Sequence, residues 1–191
     1  MKFQYISLFF VLFFCFSLQN FGQDSLKQEP IDVRFSSSYI IGAQVYNDNF
    51  LYNPGFSFSV AAYKPHSEYL HYGIGGSMLV LQTERFFPIY VDVISYKNEK
   101  SNSNFIQAQL GYSHAWNSSQ ITMPNFDLKG GVYLSLGTGR KVAISNSVSL
   151  LFHWAYIHQF ATMKYTVFGV NPYSETLNFD MFSLSVTFLC M

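Results

Sequence analysis

The sequence has little charge. Asp, Glu, Lys and Arg make up 12% of its 191 residues, whereas soluble domains carry about 25%. The 11 basic and 11 acidic side chains cancel, so no basic patch predicts a nucleic-acid partner and no acidic block predicts a solvating tail. Long stretches, among them residues 101–126 and 142–163, contain no charged side chain. This composition is unusual for a soluble protein.

Long hydrophobic runs are also missing. The run Ile6–Leu18 has 13 residues, short of the roughly 20 that a membrane-spanning helix needs. It follows Lys2 and precedes a polar segment with small residues, an order typical of a secretory signal peptide ending near Gln23. A signal anchor is the alternative. We expect a signal peptide at 1–23, a short N-terminal lead at 24–30 and one domain at 31–191.

Cysteine is scarce, because the chain contains only Cys15 and Cys190. Cys15 lies inside the expected signal peptide, and Phe13 and Phe14 precede it where lipoprotein processing requires small residues. Removal of the signal peptide leaves Cys190 alone, which excludes an intramolecular disulfide. We therefore expect an exported protein whose stability does not depend on disulfide bonds.

Apolar and polar residues alternate through much of the remaining chain. In residues 105–116 most apolar side chains share one parity, and glutamine, glycine and serine share the other. Residues 55–60, 131–139 and 182–188 alternate in the same way. A period of two over this length predicts strands and argues against helices.

The small polar face of these segments carries almost no charge. A soluble sandwich exposes Lys, Glu and Arg to water on its polar face, whereas this face consists of Ser, Gly, Gln, Thr and Ala. Such a face suits a confined, hydrated interior, and the opposite face of Phe, Tyr, Leu and Val suits lipid. Alternating segments of about ten residues separated by turns are typical of a transmembrane β-barrel.

Clusters of charge accompanied by Gly, Pro, Asn and Ser predict the connections between strands. Seven such clusters separate eight segments. We therefore predict an all-β fold that forms an antiparallel eight-stranded up-and-down transmembrane β-barrel. The expected strands span 31–46, 55–64, 69–83, 89–97, 104–116, 131–140, 147–162 and 179–190. With both termini in the periplasm, the expected periplasmic connections are 65–68, 98–103 and 141–146, and the outer ones are 47–54, 84–88, 117–130 and 163–178. The two longest loops then lie outside, as in known barrels.

Four segments carry a family resemblance. They are the signal ending in FGQ, the segment FPIYVDVISY, the strand NFIQAQLGYSHAW and the stretch GGVYLSLGTGRKVAISNSVSLLF. With them the chain resembles the small outer-membrane β-barrel proteins of the porin-like superfamily, especially those of Bacteroidota, over about residues 30–191. The resemblance is one of pattern, and no catalytic motif is shared. It implies the Gram-negative outer membrane as location, with membrane lipid and the barrel-assembly machinery as partners.

Two charges lie inside predicted strands and break the alternation. Asp92 and Arg34 have the parity of the small polar face, which predicts that both point into the lumen. An uncompensated charge in a narrow interior is costly, so we expect a luminal ion pair or hydrogen-bond network. A proton-handling or ligand site is the alternative. His71 and His153 also have inward parity, and they meet only if their strands align.

No pattern in the sequence predicts a metal, a cofactor or a catalytic site. His153 and His158 lie an odd number of residues apart and face opposite sides of one strand, and nothing supplies the three or four ligands of a zinc site. GTGRK at 137–141 lacks the further glycines of a phosphate loop. No spacing supports Ser113 and His114 as a catalytic pair. We therefore expect no enzymatic activity and no cofactor.

The predicted barrel size bears on function, because about eight strands leave an interior just wide enough for side chains to fill. By parity Tyr63, Leu79, Tyr133 and Ile157 point into this interior. We therefore expect a plugged lumen and a structural or surface-interaction role through the outer loops. Phe126, Phe168 and Tyr173 are the expected contact residues there, and no pattern identifies the surface partner. A narrow channel or small-ligand carrier is the alternative. A secreted lipocalin-like barrel and a barrel enzyme are further alternatives.

Overall fold

Nine β-strands form most of the described part of the chain. The computed structural model describes residues 31–46, 49–98, 102–117, 125–145, 147–167 and 171–190. The strands are β1 (Asp32–Tyr46), β2 (Asn49–Tyr52), β3 (Gly55–Pro65), β4 (Leu70–Val80), β5 (Glu84–Tyr96), β6 (Ser103–Asn117), β7 (Asp127–Ala143), β8 (Val148–Val167) and β9 (Asn171–Cys190). Within these ranges no helix is long and apolar enough to cross a membrane.

The strands form one closed antiparallel sheet. From β3 to β9 each strand pairs with the next in sequence, and β1 pairs with β3. β9 pairs back with β1 from Val33↔Cys190 to Val45↔Asn178. β2 pairs with β1 in the register that β3 continues, so β2 and β3 together occupy one position in the wall. The barrel therefore has eight strand positions, which confirms the predicted fold class.

A short break at Asn53 and Pro54 separates β2 from β3. Proline has no N–H to give to a sheet, and Asn53 holds the chain in place by donating its N–H to the Gly42 carbonyl at 2.8 Å. The Asn53 side chain donates to Glu84 Oε2 at 2.7 Å and accepts from the Gln82 N–H at 3.0 Å. The two side-chain hydrogen bonds connect the break to the turn between β4 and β5 and to the first residue of β5.

The strands are staggered around the barrel. The stagger can be counted by starting at Asp180 on β9 and moving from each residue to its cross-strand partner around the barrel. This path returns to β9 at Cys190, ten residues from its starting point. In a barrel, such a stagger accompanies a strand tilt of about 35–45°. The result is a narrow interior that side chains can fill.

The two ends of the barrel differ in their connections. We call the end that holds Asp32 and Cys190 the base, and the opposite end the top. The base carries the connections 66–69, 97–102 and 144–147, and the top carries 47–48, 81–83, 118–126 and 168–170. β8 and β9 have 20 residues each, more than any other strand described. Their hairpin therefore extends beyond the top ends of the other described strands.

Side chains alternate between lumen and exterior, with the parity that the sequence predicts. The predicted inward residues Tyr63, Leu79, Tyr133 and Ile157 are all buried. Every full-length strand carries large, apolar outward side chains that are at least one-third exposed. We call the following residues the girdle: Tyr39, Ile41, Phe56, Phe58, Val60, Ile74, Phe87, Ile89, Val91, Ile106, Leu110, Tyr112, Val132, Leu134, Leu136, Phe152, Trp154, Tyr156, Phe182, Leu184, Val186 and Phe188.

All four predicted top loops are wrong in extent. Within the predicted loop 47–54, residues 49–52 form β2. Residues 84–88 belong to β5, residues 127–130 belong to β7, and most of 163–178 belongs to β8 and β9. Charges and prolines there were interpreted as marks of connections. Charged side chains are compatible with a strand where they reach solvent, as Lys129 does, or a buried partner, as Glu84 does at Asn53. The Arg85 guanidinium also caps the short turn, since it donates to the carbonyls of Leu81 and Glu84.

Apolar side chains fill both ends of the lumen. The top plug consists of Ile40, Leu79, Leu81, Phe86, Tyr90, Ala115, Leu128, Tyr133, Ile157, Ala161, Leu177, Phe179 and Met181. The base plug consists of Ala61, Tyr63, Ile94, Tyr96, Phe105, Leu151 and Leu189. Within the top plug, the rings of Phe86 and Phe179 meet edge to face with centroids 5.1 Å apart. A layer of serines, glutamines and Thr187 lies between the plugs.

Candidate functional site

Asp92 lies at the centre of a hydrogen-bond network in the lumen. It projects inward from β5 and is 1% exposed. Its Oδ2 accepts hydrogen bonds from Gln107 Nε2 at 2.6 Å and Gln109 Nε2 at 2.8 Å, both on β6, and a short one from the Tyr63 hydroxyl. These three donors on one oxygen replace the water molecules that would hydrogen-bond an exposed carboxylate.

Arg34 approaches the same network from β1. It is 3% exposed, and its Nη2 donates to the Tyr96 hydroxyl at 2.5 Å. Its guanidinium lies 4.0 Å from the centre of the Tyr63 ring, a cation–π contact. Tyr63 thus contacts Arg34 with its ring and Asp92 with its hydroxyl. The structure links the two predicted luminal charges through a tyrosine.

The two inward histidines lie farther along the same group of rings. His71 Nδ1 lies 3.2 Å from Asp32 Oδ2, within ion-pair distance but without a hydrogen bond. Its ring meets Tyr96 edge to face at 5.1 Å. His153 instead packs against Phe105 at 5.9 Å. These two histidines therefore belong to opposite sides of the base plug rather than to one pair.

Two glycines on β4 make room for the luminal tyrosines. A Cβ on Gly73 would lie 2.5 Å from Tyr63 Cδ1, and a Cβ on Gly75 would lie 2.8 Å from Tyr90 Cε2. Both separations are far below van der Waals contact, so only glycine admits the rings at these positions. The rings of Tyr90 and Tyr133 stack at 5.7 Å. The glycines of β4 thereby decide where the large luminal side chains lie.

A small chamber remains between the two plugs. It has a volume of about 40 Å³ and is lined mainly by hydroxyls, the Gln107 and Gln109 amides, Arg34 and His153. Two hydroxyl pairs across the β1–β9 seam belong to this lining: Ser36 with Thr187 at 2.6 Å and Ser38 with Ser185 at 2.7 Å. The chamber is the polar middle of an otherwise apolar lumen.

A second polar cluster lies on the exterior. His158 and Asp180 are cross-strand partners on β8 and β9, and His158 Nδ1 lies 2.7 Å from Asp180 Oδ1. The Tyr156 hydroxyl donates a short bond to the same oxygen. On β8 and β9, His158 and Asp180 are the first polar outward residues toward the top after the girdle. Arg85 on β5 and His114 on β6 occupy the same kind of position. The cluster therefore marks the upper limit of the girdle, which explains a histidine on an outward face.

An open groove separates β6 from β7 near the top. Their pairing ends at Tyr112↔Val132, and the Tyr112 hydroxyl donates to the Gly130 carbonyl at 3.2 Å just above. Beyond this point the groove has a volume of about 590 Å³, and its lining includes Trp116, Phe126 and Lys129. The connection 118–124 that follows lies outside the described residues. The groove adds aromatic and charged groups to the top of the barrel.

The three predicted contact residues have different surroundings. Tyr173 is 45% exposed on β9, and its ring packs on Tyr165 of β8 at 5.0 Å. Phe126 is half-buried and packs against the top plug. Phe168 lies outside the described residues. Of the three, Tyr173 is the side chain that the structure places on an exposed surface of the hairpin.

Sequence reasoning missed the partners of the luminal charges. Tyr63, Tyr96, Gln107 and Gln109 make the bonds to Arg34 and Asp92, whereas the predicted network contained only the two charges and the histidines His71 and His153. All four of the missed partners have inward parity, which was the available signal. The stagger of the strands determines which inward residues meet, and no pattern in the sequence predicts that stagger.

Two solved structures share this fold. The crystal structure of Neisserial surface protein A gives a TM-score of 0.57 at 13% sequence identity and covers 84% of this chain and 96% of that one. The outer membrane protein OprG from Pseudomonas aeruginosa gives 0.58 at 4% identity, over 83% of this chain and 95% of that one. At these identities the likeness shows the fold alone. No protein-family model matches the sequence, and no curated protein matches it.

Proposed function

We propose that the protein spans the outer membrane of a Gram-negative bacterium, with its base in the periplasm and its top at the cell surface. The girdle is the observation that carries this proposal. Soluble monomers rarely expose an apolar patch above a few hundred Å², whereas this belt of Phe, Leu, Val, Ile and aromatic residues surrounds the barrel. A lipid environment removes the cost of that surface.

The ends of the girdle support a membrane position. On the base side the outward positions become polar at Lys64, Asn104 and Arg140, and on the top side at His114 and Lys129; all five are exposed. Tyr112, next to His114, and Trp116 are aromatic residues at the upper limit, where membrane barrels carry an aromatic belt. Export through a signal peptide at 1–23 and insertion by the barrel-assembly machinery belong to the same proposal.

Within the membrane, the protein acts through its top rather than through its lumen. The two plugs leave about 40 Å³ between them, which is far too little for solute diffusion. The β8–β9 hairpin and the groove between β6 and β7 are the features that reach beyond the girdle. The role that this geometry supports best is a structural or surface-interaction one, without chemistry of its own.

Labelling of single cysteines in intact cells tests the orientation. In a Cys190→Ser background, Ser174→Cys places a thiol on the exposed hairpin and Ser67→Cys places one on the exposed base connection 66–69. A maleimide that cannot cross membranes is expected to label the first thiol in intact cells and the second only after permeabilisation. Equal labelling of both thiols in intact cells overturns the proposed orientation.

The polar chamber favours a narrow channel as the second candidate function. Arg34, His153 and the surrounding hydroxyls would line such a path. Single-channel recordings of purified protein in planar bilayers decide between the two functions. We expect no unitary conductance above the leak of the bare bilayer, because both plugs interrupt the path. Reproducible conductance steps would establish the channel and exclude a plugged barrel.

A further inference from the structure

Positively charged side chains lie on one side of the barrel's outer face at the base. Lys97 directly follows β5, Asn104 lies on β6 and Arg140 lies on β7, and all three are exposed. The Lys97 N–H donates to the Asn104 carbonyl at 2.9 Å, and Asn104 is the cross-strand partner of Arg140. Residues directly opposite each other in an antiparallel sheet share a face, so these three side chains form one outward row. We call it the basal row.

The basal row presents hydrogen-bond donors. Lysine and arginine side chains have donors and no acceptor. Beside the row, Asn102 Oδ1 accepts the Ala143 N–H at 3.2 Å, which leaves the two N–H bonds of its Nδ2 as donors. Neighbouring strands lie about 4.8 Å apart, so the backbones at Lys97 and Arg140 lie about 10 Å apart, and both long side chains can reach one group between them. Such a set of donors suits an anion with several oxygens, such as a phosphate.

The other side of the base is apolar on its outer face. There the outward residues nearest the base are Val148 on β8, Cys190 on β9 and Val33 on β1, and they are cross-strand partners in that order. All three are half-buried and carry no charge. The cations are therefore confined to one part of the circumference and do not form a ring around the barrel.

The acidic side chains near the base do not neutralise the row. Asp32 points into the lumen and is 5% exposed. Glu68 is the other acid in the described part of the base, and Lys64, four residues earlier in the chain, offsets its charge. The connection 99–101, outside the described residues, contributes one formal charge of each sign. The basal row therefore adds two positive charges to this side of the barrel.

Apolar side chains of the girdle begin directly beyond the row. Ile106 follows Asn104 by two residues on β6 and is 60% exposed, and Leu136 on β7 is 61% exposed. A molecule whose charged group binds to the row would lay an apolar part along these two side chains. A phospholipid has this construction, because its phosphate is attached to its acyl chains through glycerol.

We propose that the basal row binds the phosphate of an anionic phospholipid in the membrane leaflet at the base, with acyl chains along Ile106 and Leu136. The inference rests on the proposed membrane position of the girdle. A choline headgroup would bring its own cation beside Lys97 and Arg140 and weaken the attraction, whereas a glycerol headgroup brings none. Charge thus selects phosphatidylglycerol over phosphatidylcholine.

Native mass spectrometry of the intact protein tests this preference. The protein is released from bilayers that contain equal amounts of phosphatidylglycerol and phosphatidylcholine, and each retained lipid is identified by its mass. We expect preferential retention of one phosphatidylglycerol. Each cation near an anionic lipid contributes about a fivefold preference, so Lys97→Gln combined with Arg140→Gln should lower the preference by about 25-fold.

Two further double variants separate the row from net charge. Lys129→Gln with Lys164→Gln removes the same charge from neighbouring strands at the top, and should leave the retention of phosphatidylglycerol as it is. The exchange Lys97→Arg with Arg140→Lys keeps both charges in the row and should keep the preference. An equal fall in the two glutamine variants overturns the proposal, because the net charge of the protein would then determine lipid binding.

Excess inorganic phosphate tests whether the occupant is a lipid. It should not displace phosphatidylglycerol, because the acyl chains also contact Ile106 and Leu136; displacement would show a general anion site and overturn the proposal. Each variant is first shown to give the folded gel band. A folded parent that enters vesicles and retains both lipids equally overturns this inference alone, whereas a parent that does not enter vesicles overturns the proposed membrane position as well.

Discussion

Asp92 combines deep burial with three donors from two strands, and Arg34 reaches it only through Tyr63. A buried charge that loses its partners costs several kcal/mol, so this small group constrains the relative positions of β1, β3, β5 and β6. Single side chains of this network have a larger effect on stability than surface charges of the same kind.

Replacement of the buried carboxylate is the first prediction. Asp92→Ala leaves Tyr63, Gln107 and Gln109 without their acceptor, at about 1–3 kcal/mol for each unsatisfied group, and leaves Arg34 without its counter-charge. We expect a clear fall in the urea midpoint, measured from the folded band that persists in unboiled gel samples.

Asp127→Ala is the matched control. Its side chain is 56% exposed, and its partner Lys129 Nζ lies 3.7 Å away with 62% exposure, so the loss should stay below about 1 kcal/mol. Equal losses in Asp92→Ala and Asp127→Ala would refute the luminal network as a source of stability.

The glycines of β4 give a second prediction. Gly73→Ala puts a methyl 2.5 Å from Tyr63 Cδ1, and such overpacking costs about 1–3 kcal/mol. Gly76→Ala is the control, since its nearest neighbour would be an ordinary 3.7 Å away, and we expect almost no change. In the double variant Gly73→Ala with Tyr63→Ala, the loss of unfolding free energy should be smaller than the sum of the losses in the two single variants, as measured from urea midpoints. Strict additivity would show that Gly73 does not make room for Tyr63.

Parity alone predicted which residues face the lumen, and it did so for Asp92, Tyr63 and Ile157 alike. Parity did not predict the partners of Asp92, because a period of two determines the face on which a side chain lies and not its position along the barrel axis. That position follows from the stagger of the strands, which arises from closure of the whole sheet.

At the scale of elements, the β8–β9 hairpin departs most from the sequence prediction. Lys164, Glu175 and Pro172 were read as marks of a loop, yet Lys164↔Ser174 and Thr166↔Pro172 are strand pairs. Such residues are compatible with a strand above the girdle, where their side chains can reach solvent. Composition therefore predicted the end of the apolar outward face but not the end of the strands.

Shortening of the hairpin is the third prediction. β8 pairs with β7 up to Lys164, and β9 pairs with β1 up to Asn178, so the described residues of the hairpin tip, 165–167 and 171–173, pair only with each other. Replacement of 165–173 by Asn-Gly, a favoured two-residue turn, should leave a folded band whose conversion temperature stays within a few degrees of the parent. Loss of that band would show that the hairpin contributes to the barrel wall.

At the scale of the whole molecule, the girdle, the plugs and the closed sheet describe a barrel that is apolar outside, polar at its centre and filled by side chains at both ends. The sequence predicted the eight strands and the two faces because each depends on local alternation. Barrel size also predicted a plugged lumen, but the sequence did not predict which side chains form each plug, since the plugs form where side chains from distant strands reach the same position along the barrel axis.

The two tryptophans test the position of the girdle in a bilayer. Trp154 lies within the girdle on β8 and is 56% exposed, whereas Trp116 lies near its upper limit on β6 and is 39% exposed. Trp116→Phe and Trp154→Phe leave one reporter each. Lipids brominated near the chain ends should quench Trp154 more strongly, and lipids brominated near the headgroup should quench Trp116 more strongly. Quenching of neither residue would place the girdle outside lipid.

The pairing of β1 with β9 sets an order on biogenesis. Val33 meets Cys190, so the seam joins the beginning of the described chain to its end. Pairings this distant in sequence form slowly, and each waiting edge is a template for aggregation. Closure of the sheet therefore has to wait for the last strand. Until β9 has been made, β1 stays without its second neighbour, and the chain most needs protection during that time.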